Sequence, residues 1–235
     1  MYAAVLFSVL IVAASAVGEE PEKCCSDPYY TFIAEIVATE LKEGALLTEL
    51  IQQPGAYDSI DKKIGLKYNV HISNGTQEAF RLIADYNEGK AYVIYKEEEE
   101  TKCDIYTFSY GFPYNCVPED SKFAGSVTIG DRAIRANNWY HNDQSSPSED
   151  VHTVYTIEEE ECVDVSSFQR TFDPETGDEI SLVRSTYSDF SLGICHPDDW
   201  FKVPEECQAG RAKMVEGIPK KYAGLRGPGG KRLFQ

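Results

Sequence analysis

Seven cysteines, four histidines and two runs of four glutamates hold most of the chemistry available to this chain. Cys24, Cys25, Cys103, Cys116, Cys162, Cys195 and Cys207 suit a disulfide framework better than a metal or redox centre. The adjacent Cys24-Cys25 pair is not C-x-x-C, and no Cys/His spacing fits zinc. His71, His141, His152 and His196 sit on segments of different type, none beside a nucleophile motif. Ser126 in "GSVTIG" follows a glycine but lacks the rest of a G-x-S-x-G elbow, and phosphate-loop and dinucleotide fingerprints are absent. The chain therefore reads as a protein without catalytic residues or a required cofactor. "DPETGDE", Asp173 to Glu179, is too short for a twelve-residue calcium loop and reads as a hairpin turn. Weak, multi-site association of calcium with surface carboxylates needs no specific metal site. Asn74-Gly75-Thr76 is an N-glycosylation sequon between two strand candidates.

These residues need a compartment. "MYAAVLFSVLIVAASAVG" has the apolar run and small-residue cleavage site of a signal peptide, residues 1–18, and falls short of the ~20 apolar residues that span a bilayer. No later stretch is apolar enough to cross, so a secreted, extracellular protein without a transmembrane segment is expected, in an oxidising compartment where disulfides persist. Residues 19–207 read as a single domain. Residues 208–235 carry seven of the 22 Lys and Arg, so the remainder holds 38 acids against 15 bases within a net charge of −17. So acidic a surface repels phosphates and excludes nucleic acid as a partner. The basic tail is Gly-rich and reads as lacking fixed structure, and its dibasic pairs Lys220-Lys221 and Lys231-Arg232 are places a processing protease would trim.

Strands must position most of the named residues. "IGLKYNVHI", "AFRLIADY", "AYVIY", "CDIYTFSY", "RAIRANNWY", "VHTVYTI", "CVDVSSFQRTF" and "EISLVRSTYSDFSL" alternate and are rich in β-branched and aromatic residues. Turn formers or charge separate them, and no long helical crossovers intervene, which argues antiparallel sheet. The glutamates Glu97–Glu100 read as a solvated turn between strands. "YYTFIAEIVATELKEGALLTELIQQPG" is the exception: Phe32, Ile36, Leu47 and Leu50 can share a helical face, and a strand followed by a short helix or irregular insertion is expected.

"GKAYVIYKEEEETKC", "SKFAGSVTIGD", "RAIRANNWY", "TVYTIEEEECVDV" and above all "STYSDFSLGICHPDDWFKVPEEC" follow one another in an order and spacing that resembles the ependymin family of secreted glycoproteins, over roughly residues 64 to 207. The resemblance implies a mainly β fold, curved antiparallel sheets stacked around a deep hydrophobic pocket with few short helices, and a homodimer. It also implies that Cys103 pairs with Cys207, and Cys162 with one of Cys24 and Cys25. Cys116 and Cys195 have no counterpart in the vertebrate pattern and are expected to bond each other, which leaves Cys24 or Cys25 over.

The implied function is binding of a hydrophobic, lipid-like small molecule in an internal pocket. Ile94, Phe108, Trp139 and Phe190, central on the matched strands, are the candidate lining residues. The alternative is an extracellular matrix, adhesion or mineral-associated glycoprotein that interacts with calcium and with matrix components.

Overall fold

The computed structural model describes residues 20–42, 45–143, 148–208 and 212–234; the expected signal segment lies outside them. Twelve strands form one continuous sheet: β1 (Tyr29–Lys42), β2 (Ala45–Asp58), β3 (Lys63–Ile72), β4 (Gln77–Asp85), β5 (Lys90–Glu97), β6 (Glu100–Thr107), β7 (Lys122–Ile129), β8 (Ile134–Asp143), β9 (Asp150–Glu158), β10 (Asp164–Phe172), β11 (Glu179–Leu192) and β12 (Lys213–Glu216). Two four-residue helices follow β11 and β12, α1 (Asp198–Phe201) and α2 (Lys220–Ala223). The sheet order is β12-β6-β5-β4-β3-β2-β1-β11-β10-β9-β8-β7. Two meanders, β1 to β6 and β7 to β11, are thus joined through the antiparallel β1–β11 pair, and only β12 lies parallel to its neighbour, β6.

Strand alternation divides the side chains between two faces. On the packed face Val93, Leu82, Leu66, Gly55 and Phe32 stand in register across five strands. The Phe32 ring lies directly over Gly55, where a Cβ would come within 2.5 Å of Cζ. Tyr30, Tyr57, Tyr68 and Tyr106 extend this core. Farther along the same face Trp139, Tyr155 and Ile157 pack with Val117 and Cys162. On the far face Ile83, Tyr92, Cys103, Ile105 and Cys207 form a smaller cluster.

The β1–β2 region departs from the helical expectation. It is a long hairpin in which fourteen residue pairs lie in register. A spacing of four, as between Phe32 and Ile36, keeps two residues on one face of a helix and of a strand alike, so the pattern could not separate the two. Leu50, placed on a shared helical face by that pattern, is instead 54% exposed on the hairpin arm.

The tail also departs from expectation. From β12 onward it crosses the packed face as a strap, burying Tyr222, Leu233 and Phe234 in the main core. Its bulk composition of Gly, Lys and Arg conceals a few large apolar side chains spaced to reach that core. Where the resemblance implies a deep apolar pocket, the face carries the strap's own Tyr222, Leu225, Leu233 and Phe234.

Candidate functional site

The strap begins on β6, where β12 pairs from Asp104 to Thr107 and Gly217 N–H donates to Thr107 O. Tyr222 on α2 then packs edge-on against Phe80 at 5.6 Å between centroids. Beyond it Leu225 to Leu233 double back through Pro228-Gly229-Gly230: Gly227 N–H donates to Lys231 O and Leu233 N–H to Leu225 O. Both Gly229 and Gly230 have positive φ, 66° and 69°. A Cβ on Gly230 would stand 2.5 Å from Ser167 Oγ on β10, so the turn is pressed against the sheet at a point only glycine fits.

Polar groups of the sheet hold this turn. Gln53 Nε2 and Tyr68 OH donate to Arg226 O at 3.0 and 3.1 Å, and Tyr86 OH donates to Leu233 O at 2.6 Å. Lys231 Nζ donates to Tyr114 O and Cys116 O, at 2.5 and 2.7 Å, in the β6–β7 connection. Arg232 ion-pairs with Glu149 beside β9.

Between the turn, that connection and β8–β10 lies a cavity of about 320 Å³. Phe112, Pro113, Pro118, Val151 and Leu233 supply its apolar wall, while Arg226, Lys231, Arg232, His141, Asp143, Thr153, Tyr155 and Gln169 supply the polar one. The volume is near the lower end of the ~300–1,000 Å³ usual for small-ligand sites. Burial governs the ionisable groups around it. Desolvation first, then repulsion from Arg232, pulls Arg226 down to about 10. Desolvation pulls Lys231 down to about 8, opposed by Asp164. Asp164, half-buried beneath the turn, is pushed up to about 6 by desolvation, against the hydrogen bond from Asn115 Nδ2 at 2.6 Å and attraction to Lys231. The Tyr155 phenol is pushed up to about 12 by burial.

A larger hollow of about 530 Å³ lies on the far face, between β8–β10 and the turn at Asp173–Gly177. His152 is engaged at both ring nitrogens there, by Tyr140 OH at 2.5 Å and Asp150 Oδ2 at 3.1 Å, and no Ser, Thr or Cys lines that hollow. Among the described residues no group of three or more His, Cys, Asp or Glu is placed to hold a metal ion.

Three disulfides are present: Cys24–Cys162, Cys25–Cys116 and Cys103–Cys207. The expected Cys116–Cys195 bond is not formed. Cys116 lies beside the extended N-terminal segment in a bridge with Cys25, while Cys195 is exposed after β11 and has a free thiol, so the cysteine left over is Cys195 rather than Cys24 or Cys25. Asn74 is exposed in the β3–β4 turn, its Oδ1 accepting from Thr76 N–H.

The four candidate lining residues do not converge. Ile94 packs on the far-face cluster, because it is one residue out of phase with Val93. Trp139 is 1% exposed inside the Tyr155–Ile157 cluster. Phe108 and Phe190 flank the main core, Phe108 against Phe234 at 5.2 Å and Phe190 against Tyr30 at 4.7 Å. None of the four lines the 320 Å³ cavity. Sequence reasoning missed its cations, Arg226, Lys231 and Arg232. The available signal was "LRGPGGKRLF", a turn former flanked on each side by a cation and then a large apolar residue.

Development-specific protein LVN1.2 of Lytechinus variegatus is 27% identical over 190 residues, covering 76% of this chain and 98% of that protein. Solved structures that align include a LolA superfamily protein from Nitrosomonas europaea, 8% identical, TM-score 0.29, and a DUF1329 family protein from Desulfovibrio piger, 12% identical, TM-score 0.23. Each alignment covers 74% of this chain and 90% of the other, and at those scores the likeness has no weight for ligand or mechanism. The ependymin family profile matches residues 74–207, more than half of the chain, spanning β4 through the Cys103–Cys207 bond, and the chain belongs to the ependymin family.

Proposed function

We propose that this protein is a secreted, disulfide-bonded, acidic glycoprotein that binds a hydrophobic small molecule between the packed face of its sheet and the C-terminal strap. One observation supports the reading above others: the apolar packed face of β1–β6 is covered by Leu233 and Phe234 of the strap, next to an existing cavity. Full burial of a Leu and a Phe is worth about 1.5–3 kcal/mol each, and a methylene about 0.8 kcal/mol. A ligand burying a chain of roughly eight methylenes can therefore replace that cover. Three disulfides fit an oxidising compartment. A glycan on Asn74 would stand on a turn at the sheet margin, where the side chain is exposed.

The test is titration of the full chain with the neutral probe N-phenyl-1-naphthylamine, beside a chain ending at Arg232. Saturable one-to-one binding is expected, about tenfold or more tighter in the shortened chain, whose thermal midpoint serves as the folding control. A folded shortened chain that takes up no probe refutes the reading.

A further inference from the structure

We propose that the ligand is a single-chain amphiphile with a carboxylate head, and that the Arg226 guanidinium in the cavity beneath the strap receives that head. This rests on the hydrophobic-ligand reading above and adds the chemistry of the ligand's polar end.

The argument starts from charge balance. In a chain of net charge −17, three cations from the strap reach one small cavity. Arg232 has its carboxylate in Glu149, and Lys231 is committed to two backbone carbonyls with Asp164 nearby. Arg226 is different. It is 8% exposed, its Nη1 donates to Gly230 O at 2.9 Å, and no ion pair joins it to a carboxylate of the described residues: the attraction it feels from Glu149 is shared with Arg232, which holds that carboxylate. A buried charge without a counter-charge is strongly disfavoured unless an anion completes it. A single guanidinium that shares its only attracting carboxylate suits one negative charge, so a monoanion is favoured over a dianionic phosphate. Asp143 on the same lining, and Asp120 held by His141 at 3.1 Å, oppose any further negative charge.

Geometry favours the same assignment. The Arg226 backbone is pinned by Gln53 and Tyr68, and the turn that follows is seated against Ser167, so the guanidinium is positioned before any ligand arrives. A guanidinium presents a planar fork that matches the two oxygens of a carboxylate. Thr153 and Gln169, both buried on the cavity wall, add a hydroxyl and an amide that can donate to the same oxygens. Leu233 lines the cavity on its apolar side, so a chain attached to the head would run toward the residues it has to displace.

The experiment is displacement of N-phenyl-1-naphthylamine from the full chain at pH 7.5 by dodecanoate, dodecanol and dodecylamine, which share a chain and differ in head charge. Dodecanoate is expected to bind at least about tenfold tighter than dodecanol, and dodecylamine weakest. Arg226→Gln should abolish the preference for dodecanoate over dodecanol, and Arg226→Lys should restore part of it. Equal binding of dodecanoate and dodecanol to the unmodified chain overturns the carboxylate assignment and leaves hydrophobic binding standing, with no variant needed. A preference that survives in Arg226→Gln overturns the role of Arg226. Failure of every chain, and of the neutral probe, overturns the underlying reading itself.

Discussion

Asp164 shows how much a single half-buried carboxyl can set. Its proton affinity is raised in the folded chain, to about 6, mainly by desolvation. A raised carboxyl contributes stability that is complete below the unfolded value near 4 and is lost as pH rises through 6. Asp164→Asn removes that titration. The variant's stability relative to the parent is therefore expected to rise by roughly 2 kcal/mol between pH 4 and pH 7 and to level off above. Urea unfolding of both chains across that range measures the difference, and a flat difference would show that Asp164 does not titrate there. Single residues were unevenly legible. The Cys103–Cys207 bond follows from the family resemblance, and the structure forms it. The partner of Cys116 was not legible, since adjacent Cys24 and Cys25 reach two separate loops and pattern alone cannot say which. Arg226 was hidden for a different reason: a cation in a Gly-rich basic tail looks solvated until Leu233 and Phe234 are seen to anchor the segment around it.

Among the elements, the β5–β6 hairpin was the plainest to read, and it carries a strain that composition did not reveal. Glu97 pairs with Glu100, leaving Glu98 and Glu99 as a two-residue loop with φ of 49° and 68°. Two-residue hairpin loops of this hand favour Asn-Gly, because positive φ disfavours ordinary side chains. Changing Glu98→Asn and Glu99→Gly together is expected to raise stability by about 0.5–2 kcal/mol, seen as a higher denaturant midpoint. A Glu98→Gln, Glu99→Gln control removes the same charge without relieving the backbone, and an equal gain in the control would assign the effect to charge. Strand alternation was legible wherever turn signals bounded a segment, as from β3 to β6. Between β1 and β2 it was obscured by Ala, Glu and Leu, good helix formers overridden by cross-strand pairing along the whole hairpin. Alternation also cannot say which phase faces the core, and Ile94 fell on the opposite side for that reason.

At the scale of the molecule, two meanders of sequential hairpins share one sheet, and the bonds that join them are long-range: β1 with β11, Cys103 with Cys207, and the N-terminal segment with the β6–β7 connection and the β9–β10 turn. The two meanders were visible as a succession of strand and turn signals; their union was not, because the strap and the N-terminal segment act across the fold. Consecutive Cys24 and Cys25 grip Cys162 and Cys116 respectively. Val117, next to Cys116, packs in one cluster with Cys24 and Cys162, so the two bonds lie close enough for their partners to interchange. Oxidative renaturation from the fully reduced chain should therefore accumulate one principal shuffled isomer, with Cys24 on Cys116 and Cys25 on Cys162, in preference to species using Cys195. Tandem mass spectrometry of the linked N-terminal peptide would identify it, and a dominant Cys195 adduct would contradict it. Correct maturation would then depend on a thiol–disulfide isomerase able to tell neighbouring sulfurs apart by the surfaces they close.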